Sequence, residues 1–406
     1  MMSQTLLFEN TLKRIEFLYR YAGINIRSGE RKASHKFKSH CVYIFNFFWL
    51  NVDLAGGIWW FIDGVKKGKD FFGLTYIAPC ISLTTLANIK SIFIVLNEDK
   101  VHKLIDAIKT LELKENSRKF VEKKKAIMKE KTDFLNVVIY VINILYMVLV
   151  VAFALMPLVV IAVKYANTHE LELILPFLIL YPFDPFNYKV WPFVYLHQFW
   201  SECIVSLDIC GVDHFFIMCC TYLRIQFRLL RHDFENIISI RSNNRLVLDD
   251  DDFRAKFIEL IKWHQKLIEL VSVLESIYTK STLLNFTSSS LIICLTGFNV
   301  TVVKQFSYTV IFLSFLFMSL VQVFFLCFFA DLLTTSSMEI SNAVYNSQWY
   351  MAEAKVGKQL LLVQTRAQDP CKLTACGFAD VNLNSFMRVL STAWSYFALL
   401  QTMYGG

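Results

Sequence analysis

The chain has 406 residues, of which 55% are hydrophobic, 15% aromatic and only 18% charged, with a mean hydropathy of +0.44. A soluble domain of this length could not bury so much apolar surface, so the composition predicts a polytopic membrane protein. The formal net charge of +7 needs no nucleic-acid partner, because the basic residues fall on one side of the predicted membrane topology.

Seven apolar segments are long enough to cross a membrane. A spanning helix needs roughly 20 mostly apolar residues. The candidates are 41–62, 71–96, 132–163, 191–222, 276–303, 306–334 and 381–403. The third exceeds a bilayer crossing and is therefore expected to tilt or protrude. The sequence predicts an all-α polytopic membrane protein with seven transmembrane helices.

The loops differ strongly in basic residues. The segments 1–40, 97–131, 223–275 and 335–380 together hold 32 Lys and Arg residues, whereas the opposite loops hold six. Because cytoplasmic loops retain positive charge, we expect a cytoplasmic N-terminus and an extracellular C-terminus. This orientation is opposite to that of a seven-helix G-protein-coupled receptor.

The long cytoplasmic loops are predicted to be helical, since Val101, Leu104, Ile105 and Ile108 recur at helical spacing. Within the spans, Lys90 lies close enough to a helix end for its ammonium to reach the interface. The fourth span contains ionisable residues such as His197 and Glu202, and we interpret it as a helix that is partly solvated or held by polar partners rather than as a proton relay.

The chain lacks the motifs of common enzymes and metal sites. It has no Gly-rich phosphate loop, no His-Glu-x-x-His motif and no Gly-x-Ser-x-Gly elbow, so we expect neither an enzyme nor a cofactor. The ten cysteines fall in spans or on the cytoplasmic side, which argues against a disulfide framework. Cys371 and Cys376 have no neighbouring His to complete a zinc site and are expected to be buried small side chains.

The loop between the third and fourth spans is rich in proline and aromatic residues. Pro176, Pro182 and Pro185 alternate with residues such as Phe177 and Tyr181. Proline stiffens a connection, and aromatic rings are favoured at the membrane interface. Two interpretations are open, a lid over a ligand entrance and an aromatic belt.

A ligand pocket is predicted in the outer halves of spans two, three, four and six. The lining would be aromatic and sulfur-rich, as suits a small apolar molecule. The candidates are Tyr76, Ile77, Phe153, Met156, Phe199, Cys203, Phe312 and Phe315. Ordinary core packing is the alternative for any one of them.

The last span has two different faces. At 100° per residue, one stripe is polar in its inner part and closes with apolar residues at its outer end. It comprises Ser385, Arg388, Thr392, Ser395, Leu399, Thr402 and Met403, whereas the opposite face carries Leu383, Phe386, Leu390, Ala393 and Phe397. The stripe could line a pore, or small polar residues could join neighbouring helices.

The C-terminal region combines several motifs in a fixed order. Tyr345-x-x-x-Trp349 is followed by Lys355, by a Cys371-Lys372…Gly377 turn and by a closing helix that contains Ser395-Tyr396-Phe397. This combination resembles the C-terminal region of insect odorant receptors. The resemblance is strong over about 335–403 and diffuse over 41–334.

The resemblance implies a ligand-gated, non-selective cation channel of four subunits, in which tuning subunits assemble with a shared co-receptor. The chain looks like a tuning subunit, because it lacks the co-receptor's long insertion in the second cytoplasmic loop. It would detect a volatile apolar odorant or pheromone at the plasma membrane of a sensory dendrite. The loop with Phe177 would then cover the ligand pocket.

The resemblance also assigns roles along the chain. Leu399 and Met403 would form the gate, and Thr402 a polar ring between them. Residues 1–40 would be a cytoplasmic arm, 41–334 a six-helix ligand-binding bundle, 335–380 a cytoplasmic anchor for assembly, and 381–406 the pore-lining helix. Trp349, Tyr350 and Leu361 would provide apolar contacts between subunits.

Three other classes were weighed. A gustatory receptor of the same superfamily is the nearest alternative. A G-protein-coupled receptor is disfavoured by the predicted topology and by the missing Asp-Arg-Tyr-type motif. A transporter would be expected to show internal repeats or paired broken helices, and none is visible.

Overall fold

The computed structural model describes residues 7–27, 33–69, 74–117, 122–238, 251–303, 306–351 and 354–404. Ten α-helices account for most of them: α1 Leu7–Ala22, α2 Ala33–Lys66, α3 Ala78–Leu96, α4 Glu98–Ser117, α5 Glu122–Thr168, α6 Trp191–Glu235, α7 Asp251–Val302, α8 Phe306–Asn346, α9 Ala354–Gln368 and α10 Leu383–Tyr404. A 3₁₀ turn, Trp349–Met351, precedes α9. The antiparallel strands β1 Thr374–Ala375 and β2 Ala379–Asp380 precede α10.

Six helices of the described ranges are long and apolar enough to cross a membrane, namely α2, α3, α5, α6, α7 and α8. The helix α10 coincides with the predicted seventh span, and it is not among the six because its polar stripe lowers its mean hydropathy. The predicted all-α polytopic fold is confirmed. Residues 71–73 of the predicted second span lie outside the described residues.

Several helices run far beyond the predicted spans. The helix α5 has 47 residues, and at about 1.5 Å per residue it is about twice as long as the hydrocarbon layer is thick. The expected protrusion of the third span is therefore observed. The helix α8 likewise continues from the predicted sixth span into the segment 335–380, so no helix end marks residue 334.

The helix α6 lies at the centre of the bundle and packs against α1, α2, α3, α5, α7 and α8. The C-terminal half of α6 is buried on nearly all sides. Its buried residues include Phe215, Phe216, Tyr222 and Phe227. A helix that is apolar all round can be stable only when other elements surround it. The core of the protein therefore lies around the inner half of α6.

The N-terminal helix α1 is fixed against this core from two directions. The Glu112 carboxylate of α4 accepts hydrogen bonds from the backbone N–H groups of Leu7 at 2.8 Å and Phe8 at 3.1 Å. These N–H groups have no partner within the helix, so Glu112 caps it. Burial raises the pKa of the Glu112 carboxyl. At the centre of the bundle, the ring of Tyr19 packs within 3.4 Å of the Cβ position that Gly211 leaves empty.

A buried ion pair joins three helices inside the membrane. Lys90 Nζ of α3 lies 2.6 Å from Asp213 Oδ1 of α6, and Gln322 Nε2 of α8 donates to Asp213 Oδ2 at 2.8 Å. Lys90 is 2% exposed, so the prediction that its ammonium reaches the interface is wrong. The physical reason is that Asp213 provides a nearer charge than the headgroups.

We predict that Lys90→Met destabilises the protein by about 3–5 kcal/mol, because it leaves the Asp213 carboxylate buried without a cation. The thermal-unfolding midpoint of the purified protein in detergent measures the loss. The double variant Lys90→Met with Asp213→Asn should recover most of it, since Asn still accepts from Gln322. A single variant as stable as the parent chain would contradict this role of the pair.

A candidate ligand cavity and a candidate pore helix

A cavity of about 710 Å³, partly open to the outside, lies among α2, α3, α5, α6 and α8. Most of its lining is apolar and includes Leu50, Leu54, Ile81, Leu83, Leu149 and Val205. Five polar residues complete the lining: Asp53, Thr84, Ser201, Glu202 and Ser206. A concave apolar site with a few polar groups is the usual form of a small-molecule site.

Three of the eight predicted pocket residues line this cavity, namely Ile77, Phe153 and Phe315. The rings of Phe153 and Phe315 lie 4.8 Å apart in an edge-to-face contact. Tyr76 and Phe312 pack on each other with ring centres 5.4 Å apart and are not part of the lining. Depth in the membrane therefore identified one lining residue on each of spans two, three and six.

The other three predicted pocket residues, Met156, Phe199 and Cys203, do not line the cavity. On α6, the lining consists of Ser201, Glu202, Val205 and Ser206. Phe199 and Cys203, one turn apart, lie on a neighbouring face of that helix. Depth and residue type do not specify the rotation of a helix about its axis, which is why the prediction placed them in the cavity.

The predicted pocket lining contains no residue of the first span, although this span contributes to the cavity. Leu50, Asp53, Leu54 and Gly57 of α2 line the cavity at a spacing of three or four residues, which places them on one helix face. Asp53 was the available signal, because an ionisable residue inside a span is a candidate for function by default.

The lid loop, residues 176–190, covers the cavity and is fixed to the bundle by its backbone. Gln198 accepts from the Phe177 N–H at 2.9 Å and donates to the Phe177 carbonyl at 3.2 Å. Leu180 N–H donates to the Gly56 carbonyl at 3.2 Å. A Cβ at Gly56 would lie 2.4 Å from Ile179 Cγ2, so glycine permits this close approach.

The position of the lid loop agrees with the lid interpretation, since Phe177 and Ile179 line the cavity. The belt interpretation also holds for part of the loop, because the side chains of Phe183, Phe186 and Tyr188 are exposed. One segment therefore provides both an inner cover and an outer aromatic surface.

Asp53 is held by polar partners at one edge of the cavity. Its Oδ1 accepts from the Tyr181 hydroxyl at 3.2 Å and lies 3.0 Å from His197 Nδ1. The imidazole of His197 stacks on Trp49 with ring centres 4.6 Å apart. The expectation that His197 has polar partners therefore agrees with the structure.

The helix α10 exposes the predicted polar stripe except for Ser385, which is buried, and packs the opposite face inward. Arg388, Thr392 and Ser395 are exposed, as is Thr402, and the exposed fractions of Leu399 and Met403 are 54% and 62%. On the opposite face, Phe386 packs against Phe324 of α8 with ring centres 5.6 Å apart. The side chains of Leu390, Ala393 and Phe397 also pack into the core of this chain.

The hydroxyl groups of the stripe donate to their own helix. Ser395 Oγ donates to the Ser391 carbonyl at 2.9 Å, and Thr402 Oγ1 donates to the Leu399 carbonyl at 2.8 Å. Since the donors are used locally, the oxygen lone pairs remain available to water or a cation. The stripe can therefore line an aqueous path without a fixed charge at these positions.

The segment between α8 and α10 leaves apolar side chains on the surface. Trp349, Tyr350 and Leu361 are exposed, with exposed fractions of 44%, 68% and 59%. Leu360 and Val363, on the other face of α9, are buried. Residues that are adjacent in the sequence of a short amphipathic helix can therefore lie on different faces, because successive side chains point 100° apart.

One of the two cysteines that were expected to be buried is exposed in the hairpin before α10. Cys371 is buried, as expected, whereas Cys376 is exposed and has a positive φ of 53° at the turn. Across the hairpin, Lys372 Nζ donates to Asp380 at 2.9 Å, and this hydrogen bond raises the pKa of the ammonium group.

Comparison with known proteins identifies the family. The sequence profile described as 7tm Odorant receptor matches residues 75–394. The chain belongs to this odorant receptor family. Odorant receptor 85b of Drosophila melanogaster is 26% identical over 404 residues, covering 98% of this chain and 99% of that protein. Odorant receptor 67c of the same species is 25% identical over 372 residues, covering 89% and 88%.

The fold is that of a solved insect receptor. The olfactory receptor OR5 from Machilis hrabei, in complex with eugenol, superposes with a TM-score of 0.82 at 17% identity, covering 98% of both chains. The family and this fold confirm the resemblance to insect odorant receptors. The family is one of receptors and not of enzymes.

We predict that Phe153→Ala shifts the odorant concentration for half-maximal response by about tenfold or more, because it removes the ring that contacts Phe177 and Phe315 across the cavity. Concentration–response curves of odorant-evoked current measure the shift. Met156→Ala, three residues along α5 and outside the lining, is the matched control. Equal effects of the two variants would place the ligand elsewhere.

Proposed function

We propose that this chain is the odorant-binding subunit of a heteromeric, ligand-gated cation channel. The observation that carries the proposal is the cavity below the lid loop in a member of the odorant receptor family. The fold of a receptor in complex with eugenol supports the assignment of the cavity to an odorant. Its mostly apolar lining suits a volatile molecule with an apolar body.

The channel part of the proposal is supported by the exposed stripe of α10. In a tetramer, the stripes of neighbouring subunits would face a common axis. Leu399 and Met403 would form an apolar constriction that excludes ions by dewetting, with Thr402 as a polar ring between them. Arg388, Thr392 and Ser395 would line the wider inner part.

The assembly part of the proposal rests on the anchor segment. Trp349, Tyr350 and Leu361 are large apolar side chains on the surface of one subunit, and such residues commonly dominate interfaces. The partner would be a co-receptor subunit. The excess of basic residues in four of the loops supports a cytoplasmic N-terminus and an extracellular C-terminus at the plasma membrane of a sensory dendrite.

Expression with and without the co-receptor tests the function, and we expect odorant-evoked cation current only when both subunits are present. Within this assay, Leu399→Ser should raise the ligand-independent current, because a hydroxyl keeps the closed constriction partly hydrated. Leu400→Ser is the matched control, since Leu400 packs towards the bundle core. If serine at both Leu399 and Met403 changed neither basal current nor ion permeation, this face would not line the gate.

Trp349→Ala should lower co-assembly with the co-receptor and leave membrane insertion intact, because an interface anchor would be lost from an exposed surface. Co-purification of the two subunits measures assembly, and surface labelling measures insertion. Tyr188→Ala, which truncates an exposed aromatic residue of the lid loop outside the anchor segment, is the control. Co-purification of the Trp349 variant at the level of the parent chain would remove this residue from the interface.

A further inference from the structure

We propose that the cavity selects odorants that carry a hydrogen-bond donor, a hydroxyl or an amino group, on an apolar body, and that Asp53 and Glu202 accept from this donor. The inference rests on the proposed function and specifies the ligand class. The predicted apolar ligand would then be restricted to molecules with one donating end.

The first observation concerns Asp53, which is 7% exposed. Its Oδ1 is occupied by the Tyr181 hydroxyl and His197, as described above, whereas its Oδ2 has no hydrogen-bond partner among the described residues. Because these neighbours fix the carboxylate, its orientation is set before a ligand arrives. A buried acceptor without a partner is costly, so a donor that reaches it gains binding energy.

The second observation concerns Glu202, which reaches the same cavity from α6. Its Oε2 also lacks a hydrogen-bond partner in the described part of the chain. Asp53 and Glu202 therefore present two acceptors from two different helices. Such convergence is typical of the few polar groups that orient a ligand in an apolar site.

The remaining lining gives the ligand its second property. No Lys or Arg is among the lining residues in the described ranges, and the other polar groups are the hydroxyls of Thr84, Ser201 and Ser206. Ser201 Oγ already donates to the His197 carbonyl at 3.1 Å. A ligand that can only accept, such as an ether or an ester, then has only the hydroxyls of Thr84 and Ser206 as donors, whereas a ligand with a donor has two carboxylates as partners.

The size of the cavity and its aromatic rings define the rest of the ligand. Phe153, Phe177 and Phe315 surround its outer part, and the rings of Phe153 and Phe177 stack with centres 6.1 Å apart. An aliphatic or aromatic body fits between these side chains, with the donor group pointing to the carboxylates. A small aromatic alcohol or amine combines both features.

Four probes of similar size test the proposal in cells that express this chain with its co-receptor. They are 2-phenylethanol and 2-phenylethylamine, which donate, methyl 2-phenylethyl ether, which only accepts, and propylbenzene, which does neither. We expect half-maximal current for the alcohol, the amine or both at a concentration about tenfold or more below that for the ether. The alcohol and the amine together distinguish a neutral donor from a cation.

Two isosteric variants test the residues. Asp53→Asn and Glu202→Gln each replace one carboxylate oxygen of a lining residue by an amide donor, so each should shift the ratio of ether to alcohol sensitivity towards the ether by about tenfold. Loss of fold would lower all responses together and would not move this ratio. Glu172→Gln is the matched control, because that carboxylate is exposed outside the cavity and pairs with Lys164 at 2.7 Å.

The proposal is overturned if the ether or the hydrocarbon is as potent as the alcohol and the amine, or if both variants keep the ratio of the parent chain. It is also overturned if other odorants open the channel and none of the donors does. The proposed function fails separately, when no odorant of a broad panel evokes current with the co-receptor present.

Discussion

The constraint on which this structure depends is that polar groups inside a bilayer must find their partners within the protein. Asp213 of α6 meets this requirement fully, because Lys90 of α3 forms an ion pair with it and Gln322 of α8 donates a hydrogen bond to it. Towards the outer side the requirement is met only in part. Asp53 has partners on one oxygen, and Glu202 Oε2 has none among the described residues. The hydroxyl of Tyr19, at the centre of the bundle, also lacks a hydrogen-bond partner among the described residues, so such groups occur both in the core and around the cavity.

The helices also differ in how deeply they are buried in the bundle. In the most apolar stretch of α6, 78% of the residues are buried. The corresponding shares in α2 and α5 are 22% and 11%, so these two helices face largely outward. The inner half of α6 is consequently a rigid centre, and the cavity lies where the central helix meets two peripheral ones. A site bordered by less buried helices can adapt to a ligand at lower cost than one inside the core. The lid loop is held over this site by the backbone contacts of Phe177 and Leu180 and by the hydrogen bond of the Tyr181 hydroxyl to Asp53.

How much the sequence could predict depends on whether a helix has two distinct faces. For α10 the polar and apolar stripes differ, so the sequence separates Phe386 and Phe397, which pack inward, from Leu399 and Met403, which are exposed. The helices α2, α5 and α6 are apolar around most of their circumference, and hydropathy alone locates them without fixing their rotation. For this reason Phe199 was assigned to the cavity and Leu50 was missed. Lys90 was misjudged for a related reason, since its partner lies 123 residues away and no local pattern indicates the pairing.

The exposed stripe of α10 and the exposed residues of the anchor segment are two consequences of one requirement. Ser395, Thr402 and Arg388 cannot favourably face lipid, so the stripe needs either water or another subunit beside it. A single chain supplies neither, because its own core is already in contact with the opposite face of the helix. Assembly around a water-filled axis would satisfy the stripe along its whole length. On the proposed function, Trp349 and Tyr350 of the 3₁₀ turn after α8 would bring the subunits together. Pore formation and subunit recognition would then stabilise each other, since each provides the surroundings that the other surface lacks.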